Sequence, residues 1–267
     1  MNYVRCGPSD HPQSGTGSDE SMVQVTRLSK KFKLPHQRSL TAFDRLAAFI
    51  KRQPPLYEEF FALRDVNFHV EKGETLGIIG PNGSGKSTLL KIVAGVLAPD
   101  RGCVFVRGKV APFLELGAGF EPELSARENI YLYGAIMGIP RKEIDRRYWD
   151  ILDFAELHRF EFMKLRNFSS GMYARLAFSI AIQTNPDIFL LDEVLAVGDE
   201  TFQKKCIEKI EEIRQSGKTI LFVSHSLAEV KKLCRNCILL YNGQVAKIGP
   251  SDHVIETYLY DMEKMSS

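Results

Sequence analysis

The residue types best suited to chemistry stand together in one short stretch, in the order Gly80, Pro81, Asn82, Gly83, Ser84, Gly85, Lys86, Ser87 and Thr88. This order fits the pattern G-x-x-x-x-G-K-[ST]. Glycines lack a Cβ, so successive backbone N–H groups can turn inward around phosphate oxygens, and a following helix directs its positive dipole end at the anion. The pattern indicates a P-loop in which Lys86 reaches the terminal phosphates and the Ser87 hydroxyl binds Mg²⁺.

The flanking sequence places this loop between a strand and a helix. Residues 75–79 are apolar and predict a buried strand, and residues 87–96 predict a helix. Along the rest of the chain, short apolar strands alternate with helices of ten or more residues, which indicates a largely parallel, covered sheet. The further predicted strands are 22–25, 61–70, 188–191, 219–223, 238–241 and 245–248, and the helices are 127–137, 142–157, 171–184, 200–215, 227–233 and 252–260.

A second set of polar residues follows two of the predicted strands. Asp192 and Glu193 end the apolar run 188–191, on a strand predicted to lie next to the P-loop strand. Asp192 would then lie beside Mg²⁺, and Glu193 would hold the attacking water as general base. His225 follows the strand 219–223, where it could donate to the γ-phosphate and sense it. Taken singly, the carboxylate pair could be a strand-end turn and the histidine a structural hydrogen-bonder, but their order after a P-loop favours one site.

Composition excludes several classes of protein. The chain has 267 residues, 44% of them hydrophobic and 25% charged, which is typical of a globular protein with a full core. Its formal charge of +2 gives no overall attraction to nucleic acid, so no nucleic-acid partner is expected. No apolar run is long enough to span a bilayer and the start does not resemble a signal peptide, so a cytosolic location is predicted.

The five cysteines do not form the pattern of a secreted disulfide framework. Cys234 and Cys237 make one C-x-x-C, but Cys6, Cys103 and Cys206 do not supply the second pair that a zinc site requires. A buried, inert pair is therefore predicted, with a metal or redox site as the alternative.

Two segments stand apart from this alternating pattern. Residues 1–21 are rich in Gly, Ser, Pro, Asp and His and predict a disordered leader. Within 34–57, apolar residues recur every three or four positions, which predicts an amphipathic helix to about residue 51, ended by Pro54 and Pro55. This helix either packs on the edge of the domain or contacts a membrane partner or the headgroup layer.

Taken together, the motifs resemble the nucleotide-binding domain of an ABC transporter over about residues 22–250. The resemblance implies an α/β P-loop NTPase of the ABC-ATPase fold, with a mostly parallel core sheet, an antiparallel β subdomain and a helical subdomain at about 125–185. The domain would extend over 22–260, including the insertion at 34–57, and residues 261–267 would form a tail.

The same resemblance assigns roles to the motifs. It makes the P-loop the Walker A loop, residues 188–192 the Walker B strand and residues 196–199 the D-loop. Glu193 becomes the catalytic glutamate and His225 the switch histidine. ATP and Mg²⁺ are the cofactors that it implies.

Residues 168–172, Phe-Ser-Ser-Gly-Met, stand where the family signature usually reads LSGGQ. The resemblance puts Ser169, Ser170 and Gly171 among the residues that bind nucleotide. Ser169 and Gly171 keep the consensus, and a serine hydroxyl and a glycine N–H at a helix N-terminus can both donate to a phosphate. In this family the signature of one subunit closes on the P-loop of the other, so a head-to-tail homodimer with two buried ATP molecules is implied.

Two further assignments also come from the resemblance. Phe32 matches the aromatic residue that stacks on adenine, although a core phenylalanine is an alternative. Glu115 stands where the family has its Q-loop glutamine, and it is predicted to contribute to the metal site. Because a carboxylate replaces the amide here, the coupling role of the Q-loop does not transfer directly.

Several departures from the family consensus resemble one group within it, the ATPases of bacterial polysaccharide exporters. They lie in residues 115–120, 127–130, 168–172 and 192–199, together with the insertion before Ala62. This resemblance implies a homodimer at the cytoplasmic face of the inner membrane, bound to an integral membrane permease that moves lipid-linked O-antigen, capsule or teichoic-acid chains. The alternatives are the ATPase of another ABC transporter, such as an importer, and a soluble ABC ATPase. A GTPase or other P-loop switch is disfavoured, since no base-reading motifs are found.

Overall fold

The structure is a computed structural model, and it describes residues 2–10, 21–35, 57–114, 116–192 and 198–266. The strands are β1 (Tyr3–Cys6), β2 (Ser21–Pro35), β3 (Tyr57–Glu71), β4 (Thr75–Ile79), β5 (Arg101–Val106), β6 (Val110–Phe113), β7 (Ile188–Asp192), β8 (Thr219–Val223), β9 (Asn236–Tyr241) and β10 (Gln244–Pro250). The helices are α1 (Lys86–Val93), α2 (Ala126–Ile136), α3 (Arg141–Ala155), α4 (Ser170–Ala181), α5 (Glu200–Gln215), α6 (Leu227–Leu233) and α7 (Ser251–Ser266).

A six-stranded sheet in the order β10-β9-β4-β8-β7-β6 forms the centre of the fold. Every neighbouring pair in it is parallel except β10 with β9. All residues of β4 and β8 are buried, because α1 and a second sheet cover one face and other helices cover the opposite face, so apolar side chains are favoured on both. The predicted α/β fold with a mostly parallel core sheet is confirmed.

The four-stranded sheet β1-β5-β2-β3 is antiparallel throughout. Its inner face packs on α1 and on one face of the central sheet, through Val23, Leu63, Leu90 and Val104. β2 and β3 are longer than predicted. Their outer ends pair Leu34 with Glu58. The two ends of the segment 34–57 are thus strands, and its predicted amphipathic helix lies outside the described residues.

The predicted disordered leader is wrong for its first residues. Tyr3–Cys6 forms β1, which pairs with β5, and a disulfide joins Cys6 to Cys103. The Tyr3 hydroxyl also donates to the carbonyl of Val93 at the end of α1. The composition of residues 1–21 does not reveal this strand, because its stability comes from pairing with β5 rather than from its own sequence. Residues 11–20 lie outside the described part of the chain.

Helices α2, α3 and α4 enclose a hydrophobic cluster of their own, which includes Ile130, Leu152 and Leu176. α2 begins with the capping box that its sequence encodes, in which Ser125 and Glu128 bond each other's backbone N–H groups. None of the helices within the described ranges is long and apolar enough to cross a membrane.

Cys234 and Cys237 are buried, as predicted. Burial raises the pKa of both thiols, and it raises the pKa of Cys206 to about 12. In the part of the chain that the structure describes, no three His, Cys, Asp or Glu side chains are grouped so that they could hold a metal ion.

The turn between β9 and β10 supports the contact between the two sheets. Its residues Asn242 and Gly243 have φ angles of 47° and 75°, as a two-residue Asn-Gly hairpin turn requires. A Cβ on Gly243 would lie 2.7 Å from the carbonyl oxygen of Ala62 in β3, whereas a Cβ on Gly217, at φ 77°, would meet nothing within 4 Å.

Replacement of these two glycines separates steric overlap from backbone strain. Gly217→Ala is expected to lower the free energy of unfolding by about 1–2 kcal/mol, the cost of a left-handed alanine. Gly243→Ala is expected to cost a further ~1–3 kcal/mol, because Ala62 and its strand must shift. Urea denaturation of both variants measures the difference, and equal losses would contradict the contact between Gly243 and β3.

Candidate nucleotide-binding site

The P-loop leaves the carboxyl end of β4 and passes close to two backbone carbonyls. A Cβ on Gly80 would lie 2.0 Å from the oxygen of Leu240, and one on Gly85 would lie 2.4 Å from the oxygen of Ala62. Only glycine fits these two positions. Gly83, at φ 77°, faces open space with nothing within 4 Å of its added Cβ. The loop is thus held tightly on its protein side and is open on the other.

The start of α1 is suited to an anion. Gly85 precedes it in a left-handed conformation at φ 104°, and no side chain caps the helix. By contrast, α4 and α5 are capped by Ser169 and Asp199. The first N–H groups of a helix need an acceptor, which the dipole favours as an anion. The Ser84 hydroxyl is buried and has no hydrogen-bond partner among the described residues. These donors fit a phosphate group.

Lys86 is nearly fully buried and extends back over the loop. Its Nζ donates to the carbonyl oxygens of Gly80 at 2.8 Å and Pro81 at 3.0 Å. The ammonium group is therefore held against the backbone of the loop. The other predicted loop residues are partly or fully exposed at this surface, namely Asn82, Ser87 and Thr88.

Asp192 and His225 lie along the same edge of the central sheet as the P-loop. Asp192 is the last residue of β7 and is partly buried in register with Val223, the last residue of β8. His225 follows β8 and is exposed. Carboxyl ends of parallel strands are where ligand-binding residues collect. Glu193, the next residue after Asp192, lies outside the described residues.

The prediction that the strand of Asp192 lies next to the P-loop strand is wrong. β7 does not lie next to the P-loop strand β4, because β8 is inserted between them. The arrangement puts His225 just beyond the end of β8, the strand between the P-loop strand and the strand of Asp192. Sequence order alone does not give this strand order, because both arrangements have right-handed crossovers.

The signature residues begin α4. Ser169 caps this helix by accepting the backbone N–H of Met172 at 3.2 Å. Ser169 and Ser170 are exposed, and the nearest atom to a Cβ on Gly171 would be the Ser169 oxygen at 3.9 Å. They line an open cleft of about 630 Å³ to which no P-loop residue contributes. Within one chain, the structure does not bring the signature and the P-loop together.

Phe32 is not a core residue. It lies on β2 with 39% of its surface exposed, opposite Phe60, which is 46% exposed. The Lys30 Nζ stands 5.7 Å from the centre of its ring. The ring is therefore available to a ligand, although the structure gives no contact between it and the P-loop. Glu115 lies outside the described residues.

Comparisons with known proteins decide the family. The family model described as ABC transporter matches residues 63–196. An O-antigen export system ATP-binding protein, RfbB from Klebsiella pneumoniae, is 43% identical over 241 residues, which are 90% of this chain and 98% of that protein. The chain belongs to the ABC transporter family.

Other relatives agree with this assignment. The teichoic acids export ATP-binding protein TagH from Bacillus anthracis is 40% identical over 236 residues, which cover 88% of this chain and 42% of that protein. Among solved structures, a dimeric ATP-binding cassette in a post-hydrolysis state with ADP and Pi superposes with a TM-score of 0.68 at 25% identity, covering 86% of this chain and 99% of that one. The ABC ATPase fold is thus shown by sequence and by structure.

This ABC ATPase also contains an ion-pair cluster that the sequence analysis missed. Arg175 in α4 donates to Glu156 at 2.9 Å and to Asp199 at 2.5 Å, and its guanidinium stands 4.9 Å from the ring centre of Phe202. Glu156 ends α3 and Asp199 caps α5. One side chain therefore ties the signature helix to the end of the D-loop. No spacing in the chain could have indicated this cluster, because both carboxylates lie in other elements.

Tyr173 is a second residue that the sequence analysis missed. Its hydroxyl donates to the carbonyl of Gly117 at 2.9 Å, and its ring packs on Phe120 with centroids 4.9 Å apart. A Cβ on Gly117 would lie 2.4 Å from the Tyr173 ring. The segment that follows Glu115 is thus fixed directly to the signature helix.

The ion pair at Asp199 predicts a pH dependence of stability. The backbone N–H of Phe202, with the charge of Arg175, holds the pKa of Asp199 below its usual range. A carboxyl group with a lowered folded-state pKa stabilises the fold above its unfolded pKa of about 4, and this contribution is lost as pH falls through the folded value. Asp199→Asn keeps a capping oxygen but removes the charge.

We expect Asp199→Asn to lower the Tm at pH 7. The gap to wild type should narrow as the pH falls below about 4 and close once the pH is below the lowered folded-state pKa of Asp199. The exposed Asp150→Asn is the matched control and should show little gap at any pH. Thermal denaturation across this range measures both variants. A gap at Asp199 that does not change with pH would rule out a contribution from its charge.

Proposed function

We propose that this chain is the ATP-hydrolysing subunit of an ABC exporter that moves lipid-linked polysaccharide, O-antigen or teichoic acid in type, across the cytoplasmic membrane. The observation that carries the proposal is the 43% identity to an O-antigen export ATP-binding protein over 98% of that protein's length. The 40% identity to a teichoic acids export ATP-binding protein supports the same class of cargo. O-antigen and teichoic acids are both polymers, so the common property is the export of a polymer rather than of one sugar.

The nucleotide in this proposal is ATP. The backbone of Gly80–Gly85 and the start of α1 hold its phosphates, Lys86 pairs with the terminal ones, and Phe32 stacks on the adenine. The closely held glycines, the uncapped helix and the buried Ser84 hydroxyl support this placement.

Magnesium would be held by the Ser87 hydroxyl and the Asp192 carboxylate, with Glu115 as a further proposed ligand. Hydroxyl and carboxylate oxygens are the donors that Mg²⁺ prefers. When bound, the ion supplies positive charge that offsets the charge of the phosphate oxygens. Glu193 accepts a proton from the attacking water, and His225 donates a hydrogen bond to the terminal phosphate.

A second copy of the chain completes each site. Ser169, Ser170 and Gly171 would close on the P-loop of the partner subunit, where the Ser169 hydroxyl and the Gly171 N–H donate to the terminal phosphate. Their exposure, and the separation of their cleft from the P-loop within one chain, support this arrangement. A dimeric ATP-binding cassette among the similar structures is consistent with it.

The cycle follows from the position of the nucleotide. ATP buried between two subunits binds the closed dimer more tightly than the open one, so it favours closure. Closure would then drive a separate integral membrane permease. Hydrolysis through Glu193 then opens the dimer. The protein would be peripheral, at the cytoplasmic face of the inner membrane.

Glu193→Gln is expected to slow ATP hydrolysis by about 10²–10⁴, the usual contribution of a general base, and to leave an ATP-bound dimer. Size-exclusion chromatography with radiolabelled ATP measures the dimer, and phosphate release measures turnover. Lys86→Ala is the control, because it should lose ATP affinity and remain monomeric. Wild-type turnover by Glu193→Gln would remove Glu193 from the role of base.

Co-purification tests the transport assignment. The tagged chain, extracted from membranes of its native cell in mild detergent, is expected to bring with it a polytopic membrane protein. The ATPase activity of that complex should respond to lipid-linked glycan. Recovery only from the soluble fraction, with no membrane partner, would contradict the exporter.

A further inference from the structure

A second cleft, of about 610 Å³, lies on the antiparallel sheet. We call it the arginine cleft, because Arg27 of β2, Arg64 of β3 and Arg101 of β5 line it together. Ser9, Asp10, Ser29, Phe61, Asp65 and Gly102 complete its wall. None of these residues belongs to the P-loop, the signature or the Walker B strand. The cleft is therefore distinct from the proposed nucleotide site.

The two aspartates of the arginine cleft offset only part of its positive charge, since three arginines stand against two carboxylates. Among the described residues, no carboxylate forms an ion pair with Arg27, Arg64 or Arg101, although two carboxylates line the same cleft. Asp10 instead accepts the backbone N–H of Gly102 at 2.8 Å. Asp65 accepts the Asn67 amide at 3.4 Å. Three guanidinium groups therefore line one concave surface, and none of them forms an ion pair with a described residue.

Arg64 is held in place at the edge of this cleft. Its guanidinium stands 4.4 Å from the ring centre of Phe61, a distance at which cation and ring attract. Its backbone N–H donates to the carbonyl of Gly243 at 2.8 Å, and the Gly243 N–H donates to the carbonyl of Ser84 at 3.1 Å. Gly243 of the β9–β10 turn therefore links Arg64 in the cleft to Ser84 in the P-loop.

Arg27 stands on an unusual backbone. Its φ angle is 49°, and Asp65 on the neighbouring strand β3 has a φ angle of 51°. Both residues lie where the pairing register of β2 with β3 shifts. The N–H of Arg27 donates to the Asn67 side chain at 2.7 Å, and a Cβ on Gly102 would lie 2.2 Å from the Arg27 carbonyl oxygen. Left-handed backbone at a non-glycine residue costs about 1–2 kcal/mol and persists only where its surroundings fix it. The position of this arginine is therefore set by the fold.

We propose that the arginine cleft binds a phosphate or pyrophosphate group of a ligand other than the ATP in the P-loop. Guanidinium groups pair with phosphate oxygens through two parallel hydrogen bonds and keep their charge at any physiological pH. The volume is that of a small-ligand site. The group could belong to a free phosphate compound or to the headgroup of an anionic lipid, and the two sources share this chemistry.

The first test uses inorganic pyrophosphate as the probe and isothermal titration calorimetry on the full chain saturated with ADP, so that the P-loop is filled. One additional site is expected. Arg27→Gln and Arg64→Gln should each weaken it about tenfold or more, the loss of a charged hydrogen bond. Arg146→Gln removes an exposed arginine from α3 and should leave it unchanged, as should Lys86→Ala. Circular dichroism checks that each variant is folded.

The second test uses co-sedimentation with phosphatidylglycerol vesicles, with phosphatidylcholine vesicles as the neutral control. Binding that Arg27→Gln and Arg64→Gln reduce, and Arg146→Gln does not, identifies a lipid headgroup as the source. Pyrophosphate binding with the same variant pattern, but without vesicle binding, identifies a free phosphate compound. The proposal is overturned if neither probe binds, or if the cleft variants behave as Arg146→Gln does. Pyrophosphate binding that only Lys86→Ala abolishes would place the probe in the P-loop and also overturn it.

Discussion

The fold depends on the close passage of one loop between two backbone carbonyls. In the P-loop, Gly80 lies against the carbonyl of Leu240 near the end of β9. Gly85 lies against the carbonyl of Ala62 in β3. These contacts join the parallel sheet to the antiparallel sheet at the loop whose N–H groups are proposed to bind phosphate. A Cβ at either position would push the two sheets apart. The shape of the loop and the packing of the sheets therefore both require glycine at Gly80 and Gly85.

Much of the fold and site followed from the sequence, because the signals were local. The apolar runs that became β4, β7 and β8 are buried on both faces and read as strands without further information. The P-loop pattern combines a strand, glycines and a helix within twenty residues. Each of these features is set by neighbours in the chain, so sequence periodicity and motif spacing are sufficient to find them.

What the sequence could not give depends on distant contacts. β1 is stabilised by β5, about a hundred residues away, and its own composition resembles that of a disordered segment. The insertion of β8 between β4 and β7 is a choice of strand order, and alternating apolar runs are compatible with several orders. Arg175 joins Glu156 and Asp199 from two other helices, so no spacing in the chain indicates it. The three arginines of the arginine cleft come from three strands, and only the pairing of these strands brings them together.

The pairing of β1 with β5 has a practical consequence for handling this protein. A version of the chain shortened to begin at Ser21 would lack the strand that covers β5, and it would leave Cys103 without the sulfur of Cys6. An uncovered edge strand can pair with the same edge of another molecule, and an accessible thiol on that edge can make the association covalent. Trimming the start of the chain to tidy a preparation would therefore favour aggregates that a reducing agent only partly disperses.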